Sequence, residues 1–457
     1  MKKLAALLLA AMMCMTCASA LAATTLSLGI YPNEMDDQGL SNWKNVYIPA
    51  FKAAMPDVEL IPASLEYDVN TFAALAESGQ TPDLFTTYFT EPEKLIRNGY
   101  VADITEELEE IGWLDKMSPA IRTLLSDKEG KIYGLPRDGY TLGMMLNAEL
   151  FRDAGLVDED GIPLYPKTWD ELVEAGKAIK EATGAAGLCL LAQDNAGGWH
   201  FTNIAWTFGA VFEVQDENGK WIAQVDSPEA IAAMEFVKSL KWEHDILTSD
   251  PTTENWGTGF AQLGTGAAAM YIAANDAVAQ PTQFNGLPTE DLMLIAMPAG
   301  PAGTFGLGGG TPYVFKAGST REQVMAGLKL IEILGRGPVV TEEAKAGMIA
   351  DAKNRVEYGV PVIPGFPFWT DPEFIATTNA ITAEYSNVDA RMYAPYYEAT
   401  AKAGFMRTEE PVNVQDLYAE LTKVIQGVLA DKDADVAALM GVAQANFQAL
   451  LDATVNK

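Results

Sequence analysis

Cysteine and histidine are scarce: the 457-residue chain has three of the first and two of the second. Cys14 and Cys17 fall close to the N-terminus, which leaves Cys189 alone in the apolar string LCLL. A disulfide framework is thereby excluded once a leader is removed, and Cys189 reads as a small buried hydrophobe. His200 and His244 are too few for a zinc cluster; HExxH and GxSxG are both absent. The glycines Gly308-Gly309-Gly310 are followed by Thr-Pro and not by GK[ST], so they make no phosphate loop. The acidic turn at Asp158-Glu159-Asp160-Gly161 lacks the first and last ligands of a calcium loop and reads as a surface turn. A glycosidase needs two carboxylates flanking one bond, and no motif points to such a pair. No cofactor and no metal are expected from these motifs. Basic residues are also few: Lys and Arg number 31 against 62 Asp and Glu, a formal net charge of −31. That excess repels nucleic acid and anionic lipid and favours solubility; it also suits an acidic cleft or a basic partner.

Long apolar runs are missing except at the start. Lys2 and Lys3 precede an apolar stretch at 4–15, too short to span a bilayer, and Ala20-Leu21-Ala22 offers a small-x-small cleavage site. Residues 1–22 are therefore expected to be a cleaved export signal, placing the mature protein in the periplasm or outside the cell. A lipid anchor at Cys17 is the alternative, and the residues before it (Cys14, Met15, Thr16) do not favour it. Beyond the leader, short alternating strands and helices follow one another, as in βαβ units. Strands are expected at 25–30, 58–61, 142–146, 188–191 and 292–297, and helices at 43–55, 169–182, 228–241 and 321–334. Thr168 and Glu171 have the spacing of a capping box. Residues 216–220 (DENGK) join two strand-like runs as a hairpin, and the chain is mostly helical after 372. A length of 457 residues favours two lobes over one core.

Five segments, in this order, carry a family resemblance: SGQTPDLFTTYFTEPEKLIRNGYVADIT at 78–105, EGKIYGLP at 129–136, NAELFRDAGL with PKTWDEL at 147–172, AQLGTGAAAMYIA at 261–273, and MPAGPAGTFGLGGGTPYVF at 297–315. Each is weak alone; together they resemble the extracellular solute-binding proteins of ABC importers, in the sugar- and oligosaccharide-binding, maltose-binding-protein-like group. The resemblance implies an α/β, two-lobed periplasmic-binding-protein fold. Each lobe would be a mainly parallel sheet flanked by helices, with a hinge and a helical C-terminal region. It assigns 24–135 plus 286–335 to lobe one and 136–285 plus 336–457 to lobe two. The partners it implies are a small sugar and the transmembrane subunits of an ABC permease; a monomer is expected. A binder of a cationic or peptidic solute and, less favoured, a secreted glycan-active enzyme are the alternatives.

A sugar presents an apolar C–H face and a rim of hydroxyls, so aromatic rings beside carboxylates, amides or Arg are the residues to seek. Trp199 in DNAGGWH and Trp256 in ENWGTG lie in expected glycine-containing loops, and Trp369 in PGFPFWTD in a Pro-rich one. Tyr88 and Tyr140 follow expected strands; Asp138 adjoins Arg137 where the resemblance places a crossing between lobes. Arg391, among Met392, Tyr393 and Tyr396, is a candidate to reach across the cleft. Many relatives carry a stacking Trp after the strand at 268–272; here that loop reads Ala274-Asn275-Asp276, and Asp276 takes the position. Thr90 and Glu91 stand where some oligosaccharide binders carry an Asp-Arg pair. The ligand set expected is thus Trp199, Trp256, Trp369, Tyr88, Tyr140, Asp138, Asp276, Asn275, Glu91 and Arg391.

Overall fold

The computed structural model describes residues 24–34 and 37–457, with no side-chain description for 37 and 38; the expected leader at 1–22 lies outside the described residues. Two sheets organise the chain. The first contains β1 (Thr24–Leu28), β2 (Val58–Pro62), β3 (Leu84–Thr86), β4 (Leu135–Thr141), β11 (Gly306–Phe315) and β12 (Met406–Thr408). The second contains β5 (Gly143–Asn147), β6 (Ala186–Cys189), β9 (Ala268–Ala273) and β10 (Leu292–Ile295), in the order β10-β5-β9-β6. A hairpin, β7 (Glu213–Gln215) with β8 (Trp221–Ala223), stands where DENGK was expected to turn.

Both sheets are mixed, whereas mainly parallel sheets were expected. β1 runs parallel to β2 and β3, but β11 is antiparallel to β3 and β4. In the second sheet only the β6–β9 pair is parallel. The reason is connectivity: β4 runs almost directly into β5, so the chain enters the second sheet on a crossing strand and not through a helical crossover.

Strand β4 and the N-terminal half of β11 form an antiparallel ribbon between the two halves, with Tyr140 opposite Gly309 and Asp138 opposite Thr311. One core wraps the second sheet and includes Leu417, Leu421 and Phe447 from the C-terminal helices Val414–Ala430 and Val436–Thr454. A separate core holds Leu26, Trp113, Phe315 and Ile331 around the first sheet. Two expected boundaries shift. Leu292–Ile295, expected in lobe one, pairs with β5 in the second sheet, so the chain returns to the first sheet only after Ile295. Within 336–457, expected wholly in lobe two, Phe366, Phe368, Trp369 and Phe374 pack on the first core, because this segment spans both halves.

Local sequence explains how the main elements begin. Thr168 caps helix Trp169–Thr183 by accepting from Glu171 N, and Gly184 closes it at φ 80°. The expected box is displaced by one residue: the Glu171 carboxylate accepts from Lys167 N at 2.7 Å, in place of the Thr168 amide.

Candidate functional site

Side chains alternate across a strand, so the crossing ribbon has two unlike faces. Tyr140 and Asp138 share one face. Gly139 and Thr141 share the other, where a Cβ on Gly139 would lie 2.5 Å from the Phe368 ring. The second face borders a groove of about 440 Å³ between the halves, lined by Phe89, Ile121, Thr141, Phe366, Tyr396 and Tyr397 among others. Several of its polar groups satisfy one another. The Tyr396 hydroxyl is 2.7 Å from the Thr141 carbonyl oxygen and 3.0 Å from Asn275 Oδ1, and Asn275 Nδ2 donates to Pro364 O at 3.1 Å. This groove offers little to a ring of hydroxyls. Asn275, an expected ligand contact, is thereby buried with both ends of its amide engaged.

The first face gathers a different set. Tyr140 meets Trp199 edge to face at 5.9 Å between ring centroids, and Trp199 lies 5.5 Å from Trp256. Trp256 is 38% exposed and rests edge-on against Phe260. Tyr88, 40% exposed, stands on the opposing half against Tyr67 at 5.5 Å. Burial pushes the Tyr140 hydroxyl well above its ordinary pKa, and the carboxylates of Glu409, Asp276 and Asp138 push further the same way. The fields of those carboxyls, from β4, the loop after β9 and the loop after β12, all act on this one hydroxyl. Asp276 reaches solvent yet is hemmed in by protein; desolvation first, and Asp138 second, lift its carboxyl to about 7. Glu409 accepts from the Tyr418 hydroxyl at 2.9 Å, and burial lifts it to about 8. Asp138 pairs with Arg137 at 3.2 Å and accepts from Thr311 Oγ1.

The two Trp positions are not on glycine-rich loops. Trp199 lies in helix Ala196–Phe208, and Trp256 is the first residue of helix Trp256–Gly264, which Asn255 and Thr258 start with a capping box. The glycines beside Trp199 serve packing: a Cβ on Gly198 would fall 2.2 Å from the Tyr418 carbonyl oxygen. Beneath Trp199, His200 is wholly buried, stacks near Tyr271 and is held neutral by desolvation, with a pKa of about 3.

Three further expected contacts are placed elsewhere. Trp369 is 4% exposed, packs edge-on to Trp113 at 6.1 Å and donates from its indole to Arg336 O, so it is core. Arg391 pairs with Asp389 at 2.7 Å and with Asp160 at 2.9 Å on the exterior of the second half; the acidic turn captures it there. Glu91 is 2% exposed and turned inward: it accepts from the Tyr67 hydroxyl at 2.7 Å, with Lys94 at 3.8 Å. Sequence reasoning missed Glu409, Gln415 and Tyr418. They follow β12, a three-residue strand with no periodic signature; only the fold brings Glu409 and Tyr418 near Tyr140 and Gln415 to Thr90 and Asn195.

A pair of mixed α/β sheets joined by a crossing ribbon, with facing aromatic and carboxylate side chains, defines a two-lobed binding protein. The chain belongs to the bacterial extracellular solute-binding protein family, whose model matches residues 30–332. It is 24% identical over 322 residues to a lactose-binding protein of Rhizobium radiobacter, covering 66% of this chain and 70% of that one. It is 27% identical over 210 residues to an arabinooligosaccharide-binding protein of Halalkalibacterium halodurans, 45% of this chain and 44% of that one. In fold it is similar to maltose-bound MalE3 of T. maritima, with a TM-score of 0.68 and 18% identity over 94% of this chain and all (100%) of that one. The GacH receptor of Streptomyces glaucescens gives the same TM-score of 0.68 at 18% identity, over 94% of this chain and 99% of that one. The family is one of extracellular binding proteins, in line with capture without catalysis, and no helix among the described residues is long and apolar enough to cross a membrane.

Proposed function

We propose that this protein captures a sugar or short oligosaccharide between its lobes and delivers it to the membrane permease of an ABC importer. The observation that carries the reading is the ring cluster Tyr140–Trp199–Trp256, set beside Asp138, Asp276 and Glu409 and facing Tyr88. Rings supply apolar surface for the C–H face of a pyranose, and carboxyl groups supply acceptors for its hydroxyls. The names of the lactose- and arabinooligosaccharide-binding relatives support the same class. Export by a cleaved leader and action as a monomer complete the proposal.

Titration calorimetry over mono- and oligosaccharides tests it. One or more sugars should bind with micromolar or tighter affinity, about −8 kcal/mol or better. Trp199→Ala or Trp256→Ala should weaken that hit at least about tenfold, a 1.4 kcal/mol loss. A panel without a binder, or both variants retaining full affinity, rejects the assignment. A cationic solute is a second reading. It rests on Asp276 and Glu409, for which no salt bridge within 4.0 Å is found among the described residues and whose raised carboxyls would give up their protons to a bound cation. Amine-bearing compounds belong in the panel for that reason.

A further inference from the structure

One chain of hydrogen bonds joins the halves directly, side chain to side chain. Gln415 Nε2 donates to Thr90 Oγ1 at 3.0 Å, and Asn195 Nδ2 donates to Gln415 Oε1 at 2.9 Å. Thr90 belongs to the loop after β3, which the first sheet holds in place through Phe89 N to Gly310 O at 3.0 Å. Gln415 lies in the first turn of helix Val414–Ala430, and Asn195 immediately precedes helix Ala196–Phe208. Those two helices are locked together in the second half, where Gly198 N donates to Thr422 Oγ1 at 2.8 Å. Gln415 is therefore mounted on a rigid base, and Asn195, by donating to Oε1, turns the amide NH₂ towards Thr90. Charge runs alongside: Lys94 of the first half lies 3.8 Å from Glu91, and its field reaches Asp416, the neighbour of Gln415.

We propose that Gln415 is a closure-positioning residue: with Asn195 behind it, it holds Thr90 across the mouth of the cleft and biases the lobes shut through protein contacts alone. The bias sets how much of the closing free energy a solute must supply, because a ligand shifts such an equilibrium only by its differential affinity for the two states. The inference rests on the two-lobed capture reading but not on which solute is captured.

Electron–electron distance measurements on solute-free protein test it. Spin labels go on Lys52→Cys in the first half and Glu217→Cys in the second; both positions are exposed, and the native Cys189 is buried. The ratio of short to long separations should fall roughly 2- to 10-fold in Gln415→Ala, the range for one net hydrogen bond. Thr90→Val, made from the other lobe, should give a similar fall, and it keeps the test open if Gln415→Ala folds poorly. The double variant should fall no further than either single one. Unchanged distributions in both single variants, or a double variant whose shift is the sum of the two, overturn the proposal. Because no solute is present, failure here is distinguishable from failure of the sugar assignment.

Discussion

A single buried carboxyl can tie stability to pH. Glu213 is 4% exposed; Oε1 accepts from Val412 N at 2.8 Å, while Oε2 has no partner among the described residues. Burial, with a smaller push from Glu410, raises its pKa from 4.5 to about 8. The folded state then holds this proton more tightly than the unfolded chain. Its contribution is fully present below pH 4.5 and is lost as pH rises through about 8. Glu213→Gln removes the ionisation, so its melting temperature relative to wild type should rise by about 2 °C or more between pH 5 and pH 8. A difference that is flat across that range in calorimetric scans would remove Glu213 from the account. At this scale the sequence was only partly legible. Tyr140, Trp199 and Trp256 form one ring cluster, with Tyr88 on the opposing half. Trp369, Arg391, Asn275 and Glu91 have the same composition around them, and partners distant in sequence (Trp113, Asp160, Tyr396, Tyr67) claim them.

Elements were easier to read than their contacts. Capping residues and apolar periodicity mark helices Trp169–Thr183, Pro228–Trp242 and Arg321–Ile333 almost to the residue. Glycines mislead, since a turn and a close crossing of helices want the same residue. Gly198 and Gly257, both inside helices, contrast a close crossing with open space. Gly198→Ala drives a Cβ to 2.2 Å from the Tyr418 carbonyl oxygen and 2.5 Å from its Cα, neither of which can give way. Overpacking of that kind costs about 1–3 kcal/mol, and chemical denaturation should show the loss. At Gly257 a Cβ would meet nothing nearer than Asn255 Oδ1 at 3.6 Å. Gly257→Ala should leave stability unchanged or raise it by up to about 1 kcal/mol through helix propensity. Equal losses at both positions would contradict the packing explanation.

At the scale of the whole molecule, the formal charge of −31 separates the two solute classes. Attraction between an acidic cleft and a cation is screened by salt, whereas rings against a neutral pyranose are indifferent to it. Affinity for the solute identified in the panel should therefore stay within about twofold between low and high ionic strength for a sugar, and weaken severalfold for an amine. Isothermal titration at two salt concentrations checks this. The interleaving of the lobes has a different outcome, in the time order of synthesis. β3 in the first half finds its antiparallel neighbour only in Tyr313–Phe315 of β11. About two-thirds of the polypeptide must leave the ribosome before β3 can pair with β11, and β12 joins the same sheet later still. Such late pairing means that the first sheet cannot close while only its N-terminal strands have been made.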